Sequence, residues 1–247
     1  MTSKPVVLSV EGLTVSFDGF KAVDDLTLYV EKDEVRAVIG PNGAGKTTVL
    51  DLISGRTKAS SGEVKFKGTE LTSLREHEIV RLGVGRKFQT PSVYESLTVR
   101  ENLEISYPKG RSAFGAWMYK RTREIDEKVR SVAETIRLEH RLPEPAELLS
   151  HGEKQWLEIG MLLIQDPELM MLDEPVAGMS VNEREVTAEL INTISKGRAV
   201  VVVEHDMEFV RRIAHVVTVL HQGKRLAEGK MKQVQEDPRV IEVYLGH

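Results

Sequence analysis

Val35-Arg36-Ala37-Val38-Ile39-Gly40-Pro41-Asn42-Gly43-Ala44-Gly45-Lys46-Thr47-Thr48-Val49-Leu50 is the stretch that decides the fold. Val35 to Ile39 is a short, mostly apolar run of strand length. Three glycines and a proline then crowd into Gly40 to Gly45, a composition that breaks the chain into a tight loop. Beyond the loop, Val49, Leu50 and Ile53 recur at helical spacing. The local order is strand, loop, helix.

Working outward, Leu13, Val15 and Phe17 alternate with Thr14 and Ser16, and Leu26, Leu28 and Val30 alternate with Thr27 and Tyr29. This period of two predicts half-buried strands before the loop, and Gly62 to Gly68 predicts another after it. From about Val99 to Leu148 the pattern becomes charged and helical, with Ile125, Val129, Val132 and Ile136 on one face. Then come a helix over Glu153 to Gln165, a strand over Leu169 to Leu172, a helix over Val181 to Lys196 and a strand over Ala199 to Val203, followed by another helix and short strands. Alternation of this kind predicts an α/β fold with a parallel-sheet core. A single domain over 1–247 is expected, with 1–90 and 150–247 as the core lobe and 91–149 as a helical subdomain. No fixed-period repeat interrupts it.

The composition narrows the function classes. Of the 247 residues, 40% are hydrophobic and 29% charged, as in an ordinary globular protein. There are no cysteines, so disulfides and thiolate metal sites are excluded. Lys and Arg number 34 against 38 Asp and Glu, and the resulting charge of −4 speaks against a general nucleic-acid binder. Apolar runs such as Ala199 to Val203 and Gly160 to Ile164 fall far short of the ~20 residues that cross a bilayer. Met1 to Pro5 has no features of a secretory signal.

Gly40, Pro41, Asn42, Gly43, Ala44, Gly45, Lys46 and Thr47 fit G-x-x-x-x-G-K-[ST], placed between strand and helix as phosphate binding requires. Glycines let backbone N–H groups curl round phosphate oxygens, and the helix start at Thr47 and Thr48 adds a favourable dipole. Lys46 reaches the terminal phosphates and the Thr47 hydroxyl ligates Mg²⁺. The plainer reading is a glycine-rich turn capping a helix. Leu169 to Glu174 is an apolar run ending in two acids, which suits a buried strand delivering Asp173 to Mg²⁺ and Glu174 to an attacking water. Acids also follow strands simply as loop or cap residues. Leu149-Ser150-His151-Gly152-Glu153-Lys154-Gln155 contains an S-x-x-E capping box, which reads either as a helix start or, because a capped N-terminus attracts anions, as part of a phosphate site.

Taken together, these three stretches resemble the ATP-binding cassette (ABC) family, with Leu149 to Gln155 in the place of its Leu-Ser-Gly-Gly-Gln signature. His151 stands for the usual Gly and Glu153 for the usual Gln. The resemblance implies the ABC ATPase fold: a P-loop parallel-sheet core, an N-terminal antiparallel β part and a helical subdomain. It implies ATP and Mg²⁺ as ligands and a head-to-tail homodimer or heterodimer in which Ser150 and Gly152 face the γ-phosphate held by a second ATPase subunit. By the same resemblance Gln89 takes the Q-loop position and ligates Mg²⁺ or water, and His205 takes the switch-histidine position at the γ-phosphate. Phe17 stacks on adenine, although its alternation with Leu13 and Val15 equally allows a core residue. Ala177 to Ser180 takes the D-loop place, with Ser180 for the usual Asp.

Gly85 to Gln89, Glu174 to Met179 and the tail Asp237 to Gly246 resemble the branched-chain amino acid importer group. Within it, Leu149 to Gly160 and Val203 to Val210 are similar to ATPases of bacterial urea importers. The implied function is ATP-driven uptake of urea or short amides at the cytoplasmic face of the plasma membrane, with two permease subunits and a solute-binding protein as partners. Import of branched-chain amino acids is the alternative, and lipopolysaccharide-export ATPases share much of the pattern. The tail reads as an amphipathic helix packed on its own domain or contacting a partner, and Phe114, Trp117 and Tyr119 as a docking surface or as cover for the helical lobe.

Overall fold

The computed structural model describes residues 4–87, 92–108 and 122–245. β1 (Val6–Phe17) and β2 (Phe20–Glu31) form a long antiparallel hairpin. Asp18 and Gly19, at φ 49° and 87°, turn it with both central residues left-handed, the twist that suits two-residue hairpins. Val10 and Leu13 are three apart, out of phase for a regular strand. A register shift at Gly12 (φ 58°) corrects the phase, so both side chains are fully buried. β4 (Ser61–Phe66) and β5 (Thr69–Glu70) complete this sheet in the order β2-β1-β4-β5.

The second sheet contains β3 (Val35–Ile39), β6 (Val84–Lys87), β7 (Leu169–Asp173), β8 (Ala199–Val203), β9 (Val216–His221) and β10 (Lys224–Gly229), in the order β10-β9-β3-β8-β7-β6. Every pairing is parallel except that of β10 with β9. β3, β7 and β8 are buried at every position, as expected of strands covered on both faces. The side chains of β7 and β8 alternate between two cores. Leu169, Met171, Val201 and Val203 face the antiparallel sheet and the helix Lys46–Ile53, while Met170, Leu172, Val200 and Val202 face the helices His151–Leu163 and Val181–Ile194.

The helices Val99–Ser106 and Arg123–Thr135 pack on His151–Leu163. Gly160 lets them close in, because a Cβ there would lie 2.5 Å from Ile136 Cδ1 and 3.1 Å from Leu103 Cδ2. Val99, Leu103, Val129 and Val132 thereby join the same apolar cluster as Met170 and Val200, so the helical region shares its core with the sheet. The helix expected from Glu153 starts at His151, because the Ser150 side chain caps it. The helix expected to reach Lys196 ends at Ile194. The tail is helical over Pro238–Leu245, and its Val240 packs in a small cluster with Ile39, Val217, Val219 and Met231. No helix among the described residues is long and apolar enough to cross a membrane.

Candidate active site

Parallel neighbours β3, β8 and β7 bring three loops to one edge of the sheet, beyond their carboxyl ends, where open α/β sheets bind ligands. The phosphate loop leaves β3 at Gly40. A Cβ on Gly40 would lie 2.2 Å from the Leu220 carbonyl oxygen, and one on Gly45 would lie 2.3 Å from that of Ala22. Gly45, at φ 98°, begins the helix Lys46–Ile53 without a side-chain cap, and no acid occupies the first turn. The first N–H groups of that helix are thus offered to an anion, the arrangement that phosphate binding uses. Asn42, Gly43 and Thr47 are exposed, Pro41 and Thr48 half-buried, and Ala44 buried.

The Lys46 ammonium is buried and donates to the carbonyl oxygens of Gly40 at 2.9 Å and Pro41 at 3.1 Å. Burial holds its pKa below the usual lysine range, against the opposing charges of Glu174, Asp173 and Glu204. No carboxylate pairs with it directly among the described residues. A buried cation without a direct counter-ion, beside open N–H groups, fits a triphosphate. The Thr47 hydroxyl donates to Asp173 Oδ1 at 3.4 Å. Asp173 is 2% exposed, and burial raises its pKa while Arg86, 3.6 Å from Oδ2, opposes the rise. Two hard oxygens side by side fit Mg²⁺, a hard cation that is held by one or two carboxylates and shares its shell with phosphate oxygens and water.

Glu174 follows Asp173 in the left-handed region at φ 45°. Such strain in a non-glycine residue costs of order 1–3 kcal/mol and persists only where the surroundings enforce it. Here the Glu174 N–H donates to the Val203 carbonyl at 2.9 Å, tying the turn to β8. Glu174 Oε1 then lies 3.6 Å from Nδ1 of the exposed His205. Glu204, 1% exposed, holds both loops: its carboxylate accepts from the N–H groups of His205 at 2.8 Å, Asp206 at 3.1 Å and Val176 at 3.4 Å. Burial raises the Glu204 pKa against those hydrogen bonds. Sequence reasoning passed over Glu204 and Arg86, since an acid after an apolar strand and an Arg within one look like ordinary surface residues until packing buries them.

Phe17 is 49% exposed at the end of β1, opposite the 65% exposed Phe20, and is therefore not a core residue. Its hairpin reaches the phosphate loop where Ala22 abuts Gly45. Gln89, Phe114, Trp117 and Tyr119 lie outside the described residues.

Ser150 caps its helix as the S-x-x-E pattern predicts. Its hydroxyl accepts from the Glu153 N–H at 3.2 Å and Glu153 Oε2 accepts from the Ser150 N–H at 2.8 Å. His151 Nε2 is 3.0 Å from the Ala177 carbonyl, and Gly152 packs against Glu183. Among the described residues, no hydrogen bond or ion pair joins Ser150 to Gly152 with the phosphate loop. The two candidate phosphate-contacting surfaces of the chain are thus separately held.

Replacing Gly45 by Ala tests the backbone account. The added methyl meets a carbonyl at a strained φ, and we expect a loss of about 2 kcal/mol, or about 4–8 °C in Tm, together with weaker nucleotide binding. A melting temperature and an affinity both equal to the parent's would refute it.

A phosphate loop, a buried acid on a neighbouring strand and a Glu-His pair at one sheet edge define a nucleotide-hydrolysing enzyme. The family described as "ABC transporter" matches residues 23–177, and "Branched-chain amino acid ATP-binding cassette transporter" matches residues 224–247. The chain is 36% identical over 247 residues to the probable branched-chain amino acid transport ATP-binding protein LivG of Archaeoglobus fulgidus, covering 97% of this chain and 95% of that one. It is 35% identical over 253 residues to the high-affinity branched-chain amino acid transport ATP-binding protein BraF of Pseudomonas aeruginosa, covering 99% of each. A crystal structure of the ADP conformation of an ATP-binding cassette of an ABC transporter superposes with a TM-score of 0.87 at 32% identity, over 99% of this chain and 100% of that one. The chain belongs to the ABC transporter family, as an ATP-binding subunit of its branched-chain amino acid transporter group. It is an ABC transporter ATPase.

Proposed function

We propose that the chain energises an importer of branched-chain amino acids, working as one of two ATPase subunits beneath two permeases that receive solute from a binding protein. The observation that carries the cargo class is similarity over nearly the full length to LivG and BraF, with the tail in its own branched-chain match. A second reading, uptake of urea or short amides, rests on the Leu149 to Gly160 and Val203 to Val210 stretches. In either case selection of cargo falls to the partners, and the chain acts at the cytoplasmic face of the membrane.

In the hydrolytic step, the N–H groups of Gly43 to Thr48 and the Lys46 ammonium bind the phosphates, and Phe17 supplies an exposed ring for the adenine. Thr47, Asp173 and Gln89 would hold Mg²⁺, which would supply neutralising charge to the bound phosphates. Glu174 accepts a proton from the attacking water, and His205, 3.6 Å away, steadies that water and the γ-phosphate. Glu204 keeps the two loops in register through the backbone N–H groups of His205 and Val176. Ser150 and Gly152 act on the nucleotide of the partner subunit. Positioning and charge stabilisation together supply the rate.

The cargo is tested by uptake of radiolabelled leucine and urea in cells with and without the chain. Loss of leucine uptake alone is expected. Loss of urea uptake alone would replace the first reading by the second, and loss of neither would remove both cargoes.

A further inference from the structure

Two carboxylates flank the Ser150 hydroxyl, and they are balanced differently. Glu153 belongs to the capping box and lies 3.4 Å from Arg141 Nη2. Glu183 comes from another helix, Val181–Ile194, where it completes a second capping box by accepting from the Ser180 N–H at 2.8 Å and hydroxyl at 2.7 Å. Its Oε1 accepts from the Ser150 hydroxyl at 3.4 Å. It also lies over Gly152 so closely that a Cβ there would be 2.2 Å from that oxygen. Hydrogen bonds from Ser180 hold the Glu183 carboxyl below the usual carboxylate range, so it is charged at neutral pH. No Lys or Arg pairs with Glu183 among the described residues.

We propose that Glu183 is a positioning residue that sets the nucleotide requirement for closure of the two subunits, its carboxylate resting on Ser150 and Gly152 where the partner's γ-phosphate is to bind. This rests on the reading of Ser150 and Gly152 as contacts to a second subunit's nucleotide. The helix His151–Leu163 presents its N-terminus, and an anion is favoured there. In the single subunit Glu183 supplies that anion. A triphosphate approaching the same hydroxyl meets a like charge a few ångströms away, so Glu183 must turn aside before the site closes. The device makes the signature region insensitive to weak anions and ties its release to the loop Ala177 to Ser180, which the same residue caps.

Glu183→Gln separates charge from structure, because Gln serves the S-x-x-[EQ] capping box as well as Glu. Closure is read as dimerisation of the purified chain by sedimentation velocity, titrated with the β,γ-imido analogue of ATP and with ADP as control. At a few ångströms in a medium of effective dielectric between that of surface sites and water, loss of one like charge lowers the half-saturating analogue concentration about tenfold. The Tm should stay near that of the parent, and the gap should narrow in high salt. Ser180→Ala, which loosens the cap but keeps the carboxylate, should lower the Tm and lower the requirement by much less than Glu183→Gln does. An unchanged or raised requirement in Glu183→Gln, with the parent dimerising, overturns this inference alone. Failure of both proteins to dimerise at any analogue concentration overturns the closure of two copies of this chain and this inference with it.

Discussion

Glu174→Gln slows ATP hydrolysis by about 10²–10⁴-fold and leaves ATP affinity close to that of the parent, the loss expected when a general base is replaced by its neutral isostere. The geometry explains why the effect should be confined to turnover. Glu174 sits at φ 45° because its N–H is held by Val203, a bond that does not involve the side chain, so the amide variant keeps the same backbone. Glu204 still pins His205 and Val176. What disappears is a proton acceptor 3.6 Å from His205 Nδ1. Single-turnover phosphate release alongside fluorescent-nucleotide binding separates the two quantities. Hydrolysis within a few-fold of the parent would assign the base elsewhere.

Lys46→Ala acts in the opposite way, on binding. A unit charge at about 4 Å from a phosphate in a medium of effective dielectric 20 is worth about 4 kcal/mol, about a thousandfold in affinity. Part of that is offset, because the ammonium gives up its bonds to Gly40 and Pro41 when it turns to the ligand. A rise in Kd of about 10²–10³ is therefore expected by titration calorimetry. A Kd unchanged from the parent's would show that Lys46 stays on the loop carbonyls and does not serve the phosphates. The two variants are complementary. One should bind and not turn over, whereas the other should fail at the first step.

The expectations that rested on contiguous residues are the ones the structure meets. Val35–Ile39 is a strand, Lys46–Ile53 a helix, and Ser150 a cap, since each depends on spacing over a few positions. Glu204 and Glu183 were not legible, because both are acids in polar contexts whose roles come from partners far along the chain. Phe17 shows the limit of periodicity, for the pattern ran through it while the sheet's core stopped at Val15, 2% exposed.

By itself the sequence determined the phosphate loop, the acidic end of β7 and the signature helix, because backbone permissiveness at glycine, strand apolarity and capping are local properties. Only the tertiary structure decided that β8, last of the three along the chain, lies between β3 and β7, so that His205 reaches Glu174 and Glu204 clasps both loops. Strand order follows from which buried faces and crossover connections can be satisfied together over the whole chain, and no stretch of neighbouring residues contains that information. The same holds for Glu183, which reaches Ser150 because two capped helices begin side by side.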